Sequence, residues 1–378
     1  MQKIKNIEFL RTFLICSIVM LHMFIDRKWC LCNIFPNISL FKFIESAFHF
    51  SNNAVEGFFI IAGFLLVLTF KNISIGDFIK KKYIRLSPTI AFSMLMCLVG
   101  CHFGVLHFKL IPNILTVLLL NQFGYCWATA SNTVLWFTSV LFACLFLYFC
   151  VLKFSHKKYL NIEILILTVL GFGILECLKH GSFGHPLVNY YHLFNVGFLR
   201  GLGGVGLGCL IGNIYKDKFE RIKNIELTKI KKTIIACVEL FLLGSVFWWL
   251  CIPHAKYNNI LFVFTFAFLF ILFILKKGYI SEFFDKDIWV FLGKYQYSMY
   301  VVHNVIIKIF GLALWKNCPD FVNSYPIMPI IIMLITILIF TVFTYHFVEE
   351  PCAEYLKQKL FNPEKPHVEK ISGGGAYS

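Results

Sequence analysis

Charge is scarce in this sequence. Only 15% of its 378 residues are Asp, Glu, Lys or Arg, against roughly a quarter in soluble globular chains. That shortage excludes a water-soluble enzyme, a disordered protein or a nucleic-acid-binding domain as its class. Cysteine with ligand spacing is missing too. Fourteen cysteines are present, but Cys16, Cys97, Cys144, Cys150, Cys209 and Cys237 stand singly in apolar runs and read as small core hydrophobes. The one close pair, Cys30 and Cys32, has a single residue between them, which suits neither a redox CxxC nor half of a zinc site, so no metal is expected. The first apolar run lacks a small-residue cleavage site and carries its own Arg and His, so no cleavable leader is expected. No internal repeat is evident.

What the chain has is apolar length. Hydrophobic residues make up 58%, aromatics 18%, and the mean hydropathy is +0.74. A bilayer core takes about 20 mostly apolar residues per helix, and runs of that kind lie near 7–25, 51–70, 86–105, 133–152, 162–178, 196–215, 233–251, 259–275, 295–314 and 326–348. The expectation is an all-α, polytopic transmembrane bundle of about ten spans occupying residues 1–360, with a disordered tail over 361–378 and no fused soluble domain. The run 111–120 is too short to span and holds Pro112 near its start, so it reads as a re-entrant or interfacial segment.

Positive charge sets the orientation. Of 35 Lys and Arg, 25 fall in the N-terminus, 71–85, 153–161, 216–232, 276–294 and the C-terminal tail, seven fall in the opposite loops, and Arg11, Arg200 and Lys308 lie inside spans. Positive loops stay in the cytoplasm, which puts both termini there in an inner (plasma) membrane protein. The net charge of +15 then meets anionic headgroups and needs no nucleic acid.

Ionisable residues inside spans are costly and usually face a cavity or a partner. Arg11 and His22 are eleven residues apart, which is three turns plus roughly 20°, so they share one helix face about 16 Å apart. Arg11 has an alternative partner in Glu8, one turn earlier, and His22 in a neighbouring helix. Glu56 sits at the depth of His22 in the second span and can orient its ring, or neutralise Arg27 or Lys28. Lys82 and Arg85, three apart in DFIKKKYIRLSP, suit either headgroup contact or phosphate binding. Gly204, Gly208 and Gly212 form a small-residue stripe that packs helices closely. Arg200, in the same span, can snorkel to water or meet substrate. Tyr300 and His303 stand one turn apart with Lys308 farther on, implying an interior face.

In this order the parts resemble the acyltransferase-3 family of bacterial membrane acyltransferases. Arg11 and His22 come first, followed by VEGFFIIAGFLL, similar to the family's FF-x-x-SG segment, and by Lys82, Arg85 and Pro88, similar to R-x-x-R-x-x-P. Then come Trp136 in LWF, Arg200 with Gly208, YSMYVVH with His303, and Glu349 with Pro351 in VEEP. Three departures stand out: Lys82 for the first Arg, Ala62 for Ser, and no acidic residue soon after LWF. The resemblance implies transfer of an acyl group, acetyl being the commonest, from cytoplasmic acyl-CoA to a hydroxyl of a cell-surface glycan or lipid-linked precursor, with no tightly bound cofactor.

On that reading Arg11, Lys82 and Arg85 bind the donor's phosphates, and His22, with Arg11 and Glu56, forms the catalytic group, His22 as general base. Trp136, Arg200 and His303 contact substrate, and Glu349 is structural. Asn52, Asn53, Trp136 and His303 are the candidate oxyanion donors. The competing class is a secondary transporter or flippase of a glycan or small anion, which also places charge in spans but calls for paired broken helices. A structural membrane protein would leave Arg11, His22, Glu56 and Arg200 unexplained.

Overall fold

The computed structural model describes residues 4–24, 31–49, 51–104, 106–121, 130–179, 189–190, 194–223, 225–251, 258–311 and 315–361. Arg27, Lys28, Cys30 and the tail expected to be disordered beyond residue 361 lie outside the described residues. The longer helices are α1 (Lys5–Phe24), α2 (Ser39–Phe48), α3 (Ala54–Leu68), α4 (Ile75–His102), α5 (Leu110–Val117), α6 (Trp136–Phe154), α7 (Leu160–Lys179), α8 (Val196–Ile214), α9 (Lys229–Cys251), α10 (Asn258–Leu275), α11 (Gln296–Ile309), α12 (Ile327–Thr344) and α13 (Glu350–Phe361). Among the described residues, strand is confined to two antiparallel two-residue pieces before α8. The chain is an all-α bundle.

Among the described residues, eight stretches are long and apolar enough to cross a membrane, two of them running through α2–α3 and α12–α13. The other two of the ten runs are Asn259–Leu275, apolar but shorter, and α11, with 14 residues. The outward faces are apolar as well: Phe241, Phe268 and Ile339 are each more than 60% exposed, as a hydrocarbon solvent permits.

Lysines gather the basic segments at one end. Lys153 donates to the Ile73 carbonyl, Lys216 to Val67 and Lys277 to Ile225, while Lys232 pairs with Glu282 and Lys5 with Asp287. Thr12 meets Gln296 and His22 meets His303 in the same order along α1 and α11, so the first and ninth runs are parallel.

The tightest packing joins α3 to α8. A Cβ on Gly63 would stand 2.0 Å from the Val205 carbonyl oxygen, and one on Gly208 2.0 Å from that of Ile60. Gly204 abuts Phe59 and Gly212 abuts Val67, so the expected small-residue stripe does pack helices, backbone against backbone. Asn195 caps α8, its side chain accepting from Phe198 N at 2.6 Å.

The 111–120 run forms α5 and turns back along α4. Ser87 Oγ donates to the Val117 carbonyl at 3.0 Å, although fifteen residues of α4 still follow Ser87. Leu119 then reverses the chain with φ 57°. Asn113 and Ser131 hold the two arms together, Asn113 Nδ2 donating to Ser131 Oγ at 2.9 Å and Ser131 N to Asn113 Oδ1 at 2.8 Å. Cys97, Cys144 and Cys209 are core residues, but Cys16 and Cys237 are exposed. Their apolar context places them on the outward helix faces rather than in the core.

Gly63→Ala is expected to destabilise the bundle by at least the 1–3 kcal/mol typical of overpacking, because backbone on α8 cannot yield as a side chain can. Gly173→Ala in α7, where nothing lies within 4 Å of the added atom, is expected to be neutral or slightly stabilising. Thermal unfolding of the two variants in detergent checks the contrast; equal midpoints would show that the α3–α8 contact is not the tight one.

Candidate active site

Ser74 starts α4 by accepting from Asp77 N at 3.0 Å, and Lys82 and Arg85 follow on its first turns, one turn before Pro88. They open onto a cavity of about 270 Å³ shared with Arg11 of α1. Phe58, Ile61, Ala62, Leu65 and Leu66 of α3, with Thr69 just past its end, form one wall; Phe137, Thr138, Leu141 and Leu145 of α6 and Gln296, Tyr297 and Tyr300 of α11 complete it. Arg11 and the Lys82–Arg85 pair, more than seventy positions apart in the sequence, therefore stand on one cavity. Arg85 is exposed and Lys82 half-buried, which puts the positive charge at the mouth and the apolar surface inside.

Two carboxylates attend the cations. Arg11 Nη1 pairs with Glu8 Oε2 at 3.1 Å, the alternative open from the sequence, yet Arg11 still borders the cavity. Glu349 accepts from Ser298 Oγ at 2.6 Å and lies within electrostatic reach of Arg85 and Arg11. Three positive groups face two negative ones, leaving the mouth suited to an anion.

His22 meets His303 beyond the cavity, ring centroids 5.2 Å apart. His303 Nδ1 lies 3.1 Å from the Met299 carbonyl oxygen; a carbonyl only accepts, so Nδ1 carries the proton and, in the neutral ring, Nε2 carries the lone pair. Tyr300 stands between the two places. It lines the cavity, its ring centroid is 5.9 Å from that of His303 and 5.5 Å from that of Phe137, and its hydroxyl is anchored on the Val134 carbonyl.

Glu56 and Arg200 overturn two expectations. Both are completely buried, and they pair through Nε–Oε1 at 2.5 Å and Nη2–Oε2 at 2.9 Å. Arg200 also donates to the Asn52 carbonyl at 3.2 Å and lies 5.5 Å from the Trp136 ring centroid. Glu56 therefore binds Arg200 instead of orienting His22, and Arg200 does not snorkel to water. Equal depth in the bilayer fixed neither the direction in which Glu56 points nor its partner. Trp136 and Arg200 sit together, apart from the three cations.

Sequence reasoning missed Gln296, whose Nε2 donates to the Glu8 carbonyl at 3.0 Å and to Thr12 Oγ1 at 2.8 Å. It also missed a buried polar network beside His303. Asn132 donates to Ser93 Oγ and to the Val301 carbonyl, both at 2.8 Å, Asn304 donates to Asn132 Oδ1 at 3.0 Å, and Lys308 lies 3.4 Å from Thr133 Oγ1. The signal was present: Tyr300, Asn304 and Lys308 fall at four-residue steps on α11.

A family model described as an acyltransferase domain, that of the acyltransferase-3 family, matches residues 4–346. The chain belongs to this family. No curated protein and no solved structure gives a significant match. Membership makes this bundle a membrane acyltransferase.

Breaking the buried pair tests its part in the scaffold. Glu56→Leu removes the carboxylate paired with the buried Arg200 cation and is expected to cost about 3–5 kcal/mol, whereas Glu56→Leu with Arg200→Met is expected to regain most of that. Unfolding midpoints of the single and double variants decide; a double variant as unstable as the single would show that the charges are not coupled.

Proposed function

We propose that the chain is an integral-membrane O-acyltransferase of the plasma membrane, with both termini cytoplasmic, transferring an acyl group, acetyl first among the candidates, from acyl-CoA to a hydroxyl of a cell-surface glycan or its lipid-linked precursor. The observation that carries the reading is the convergence of Arg11, Lys82 and Arg85 on one apolar cavity whose Tyr300 wall adjoins His303 and His22. Lys and Arg bind phosphate oxygens by charge-assisted hydrogen bonds. At about 270 Å³ the cavity is smaller than the roughly 300–1,000 Å³ clefts that enclose drug-sized ligands. A slender pantetheine arm suits its interior, and the nucleotide stays with the cations at the mouth.

In this reading the thioester passes the Phe137–Tyr300 wall and meets the acceptor beside the imidazoles. His22 takes the proton of the acceptor hydroxyl as its oxygen bonds to the acyl carbon. The carbon–sulfur bond then breaks, and the proton passes to the CoA thiolate. General-base assistance of this kind contributes about 10²–10⁴-fold. Glu56 has no part in the proton transfer, since its carboxylate is held by Arg200.

The test is turnover of labelled acetyl-CoA by the purified chain in lipid nanodiscs, with candidate glycans supplied. His22→Ala is expected to lower kcat about 10²–10⁴-fold with donor binding retained, and Arg85→Ala to raise the donor KM with a smaller change in kcat. Full activity in folded His22→Ala removes the base assignment. Failure of the unaltered chain to bind or turn over any acyl-CoA removes the donor and favours transport.

A further inference from the structure

We propose that Gln296 recognises the amide-bearing arm of the donor, its side-chain carbonyl accepting an N–H from the ligand; the inference rests on the acyl-CoA reading. Gln296 is 4% exposed and borders the cavity. Its amide fits only one way round. The partner of Nε2 at 3.0 Å is the main-chain carbonyl of Glu8, which can only accept, so the nitrogen must lie on the α1 side. Oε1 is left buried and has no hydrogen-bond partner among the described residues. A buried acceptor of this kind calls for a partner that the described residues do not supply.

The remaining polar wall narrows the ligand class. Tyr297 Oη donates to the Leu86 carbonyl at 2.8 Å, Tyr300 Oη to that of Val134, and Thr138 Oγ1 to that of Leu135 at 2.7 Å. Each hydroxyl has committed its one proton to the protein and offers a ligand only lone pairs. Inward of the three cations, these groups and Gln296 accept hydrogen bonds. A matching ligand has an anionic head, a slender body with apolar stretches, and N–H or O–H donors along that body. The pantetheine arm of CoA, with its phosphates at one end and two secondary amides along its length, fits this pattern. A fatty chain supplies no donors, and a neutral sugar supplies no anion.

The full-length protein in nanodiscs is titrated with CoA and with two analogues in which one or the other pantetheine amide is replaced by an ester, removing a single N–H. One ester is expected to bind the unaltered chain about tenfold more weakly than CoA, equivalent to about 1.4 kcal/mol. Gln296→Met is expected to bind CoA about tenfold more weakly and no longer to distinguish that ester from CoA. Equal affinity of the unaltered chain for CoA and both esters overturns the assignment, even where Gln296→Met fails to fold. So does a folded Gln296→Met protein that still discriminates between them, because a purely structural glutamine would leave the discrimination intact. An unaltered chain that binds no CoA overturns the acyl-CoA reading itself, and the assignment falls with it.

Discussion

The backbone contact between α3 and α8 decides what the rest of the bundle can do. Helices in hydrocarbon gain little from hiding apolar surface from one another, so close packing and polar pairs must hold them together. Gly63 against Val205 and Gly208 against Ile60 supply the first, and Glu56 with Arg200 supplies the second at the end of the same seam. Fixing that seam fixes the rotation of α3 about its axis. Phe59, Ile60, Gly63 and Val67 then turn toward α8, and Phe58, Ile61, Ala62, Leu65 and Thr69, at helical spacing on another stripe, become a cavity wall. Ala62 and Gly63, adjacent in sequence, thus serve the cavity and the seam respectively.

The parts legible in the sequence were those set by local length and period. Apolar runs of bilayer length announced the helices, the four-residue glycine stripe announced a tight contact, and the shared face of Arg11 and His22 followed from 100° per residue. The pairing of Lys82 and Arg85 with Arg11 at one cavity needed the order of motifs as well as the charges. Glu56 shows where such reasoning stops. Periodicity gives a residue's depth and its azimuth on its own helix, but not which helix lies across from that azimuth. Arg200 is 144 residues away, and nothing between the two encodes their meeting. Gln296 was invisible for the same reason, since its place depends on the main chain of α1 and on a cavity that five helices must enclose.

Separation of the three cations from the two imidazoles is the other consequence of this architecture. The positive charge sits on Arg11, Lys82 and Arg85, and the imidazoles sit beyond Tyr300. An imidazole placed among those three cations would have its charged form disfavoured by like charge, and bound phosphates would push the other way. Distance keeps the imidazoles away from the charge at the mouth. That distance is set by helix rise, about 16 Å from Arg11 to His22 and about 10 Å from Gln296 to His303, and not by loops that can relax.

Helix α11 ties the two places together. Within 14 residues it brings Gln296 and Tyr297 to the cavity, Ser298 to Glu349, Tyr300 to the boundary and His303 to His22. Asn304 and Lys308 carry it on into the buried network with Asn132 and Thr133. A polar network is held in a low-dielectric interior only while its members stay paired, so sliding α11 along its axis would break bonds at both ends at once. The helix is therefore locked in register with α1, and the cation mouth and the histidine pair keep their spacing as a property of two parallel helices rather than of any single contact.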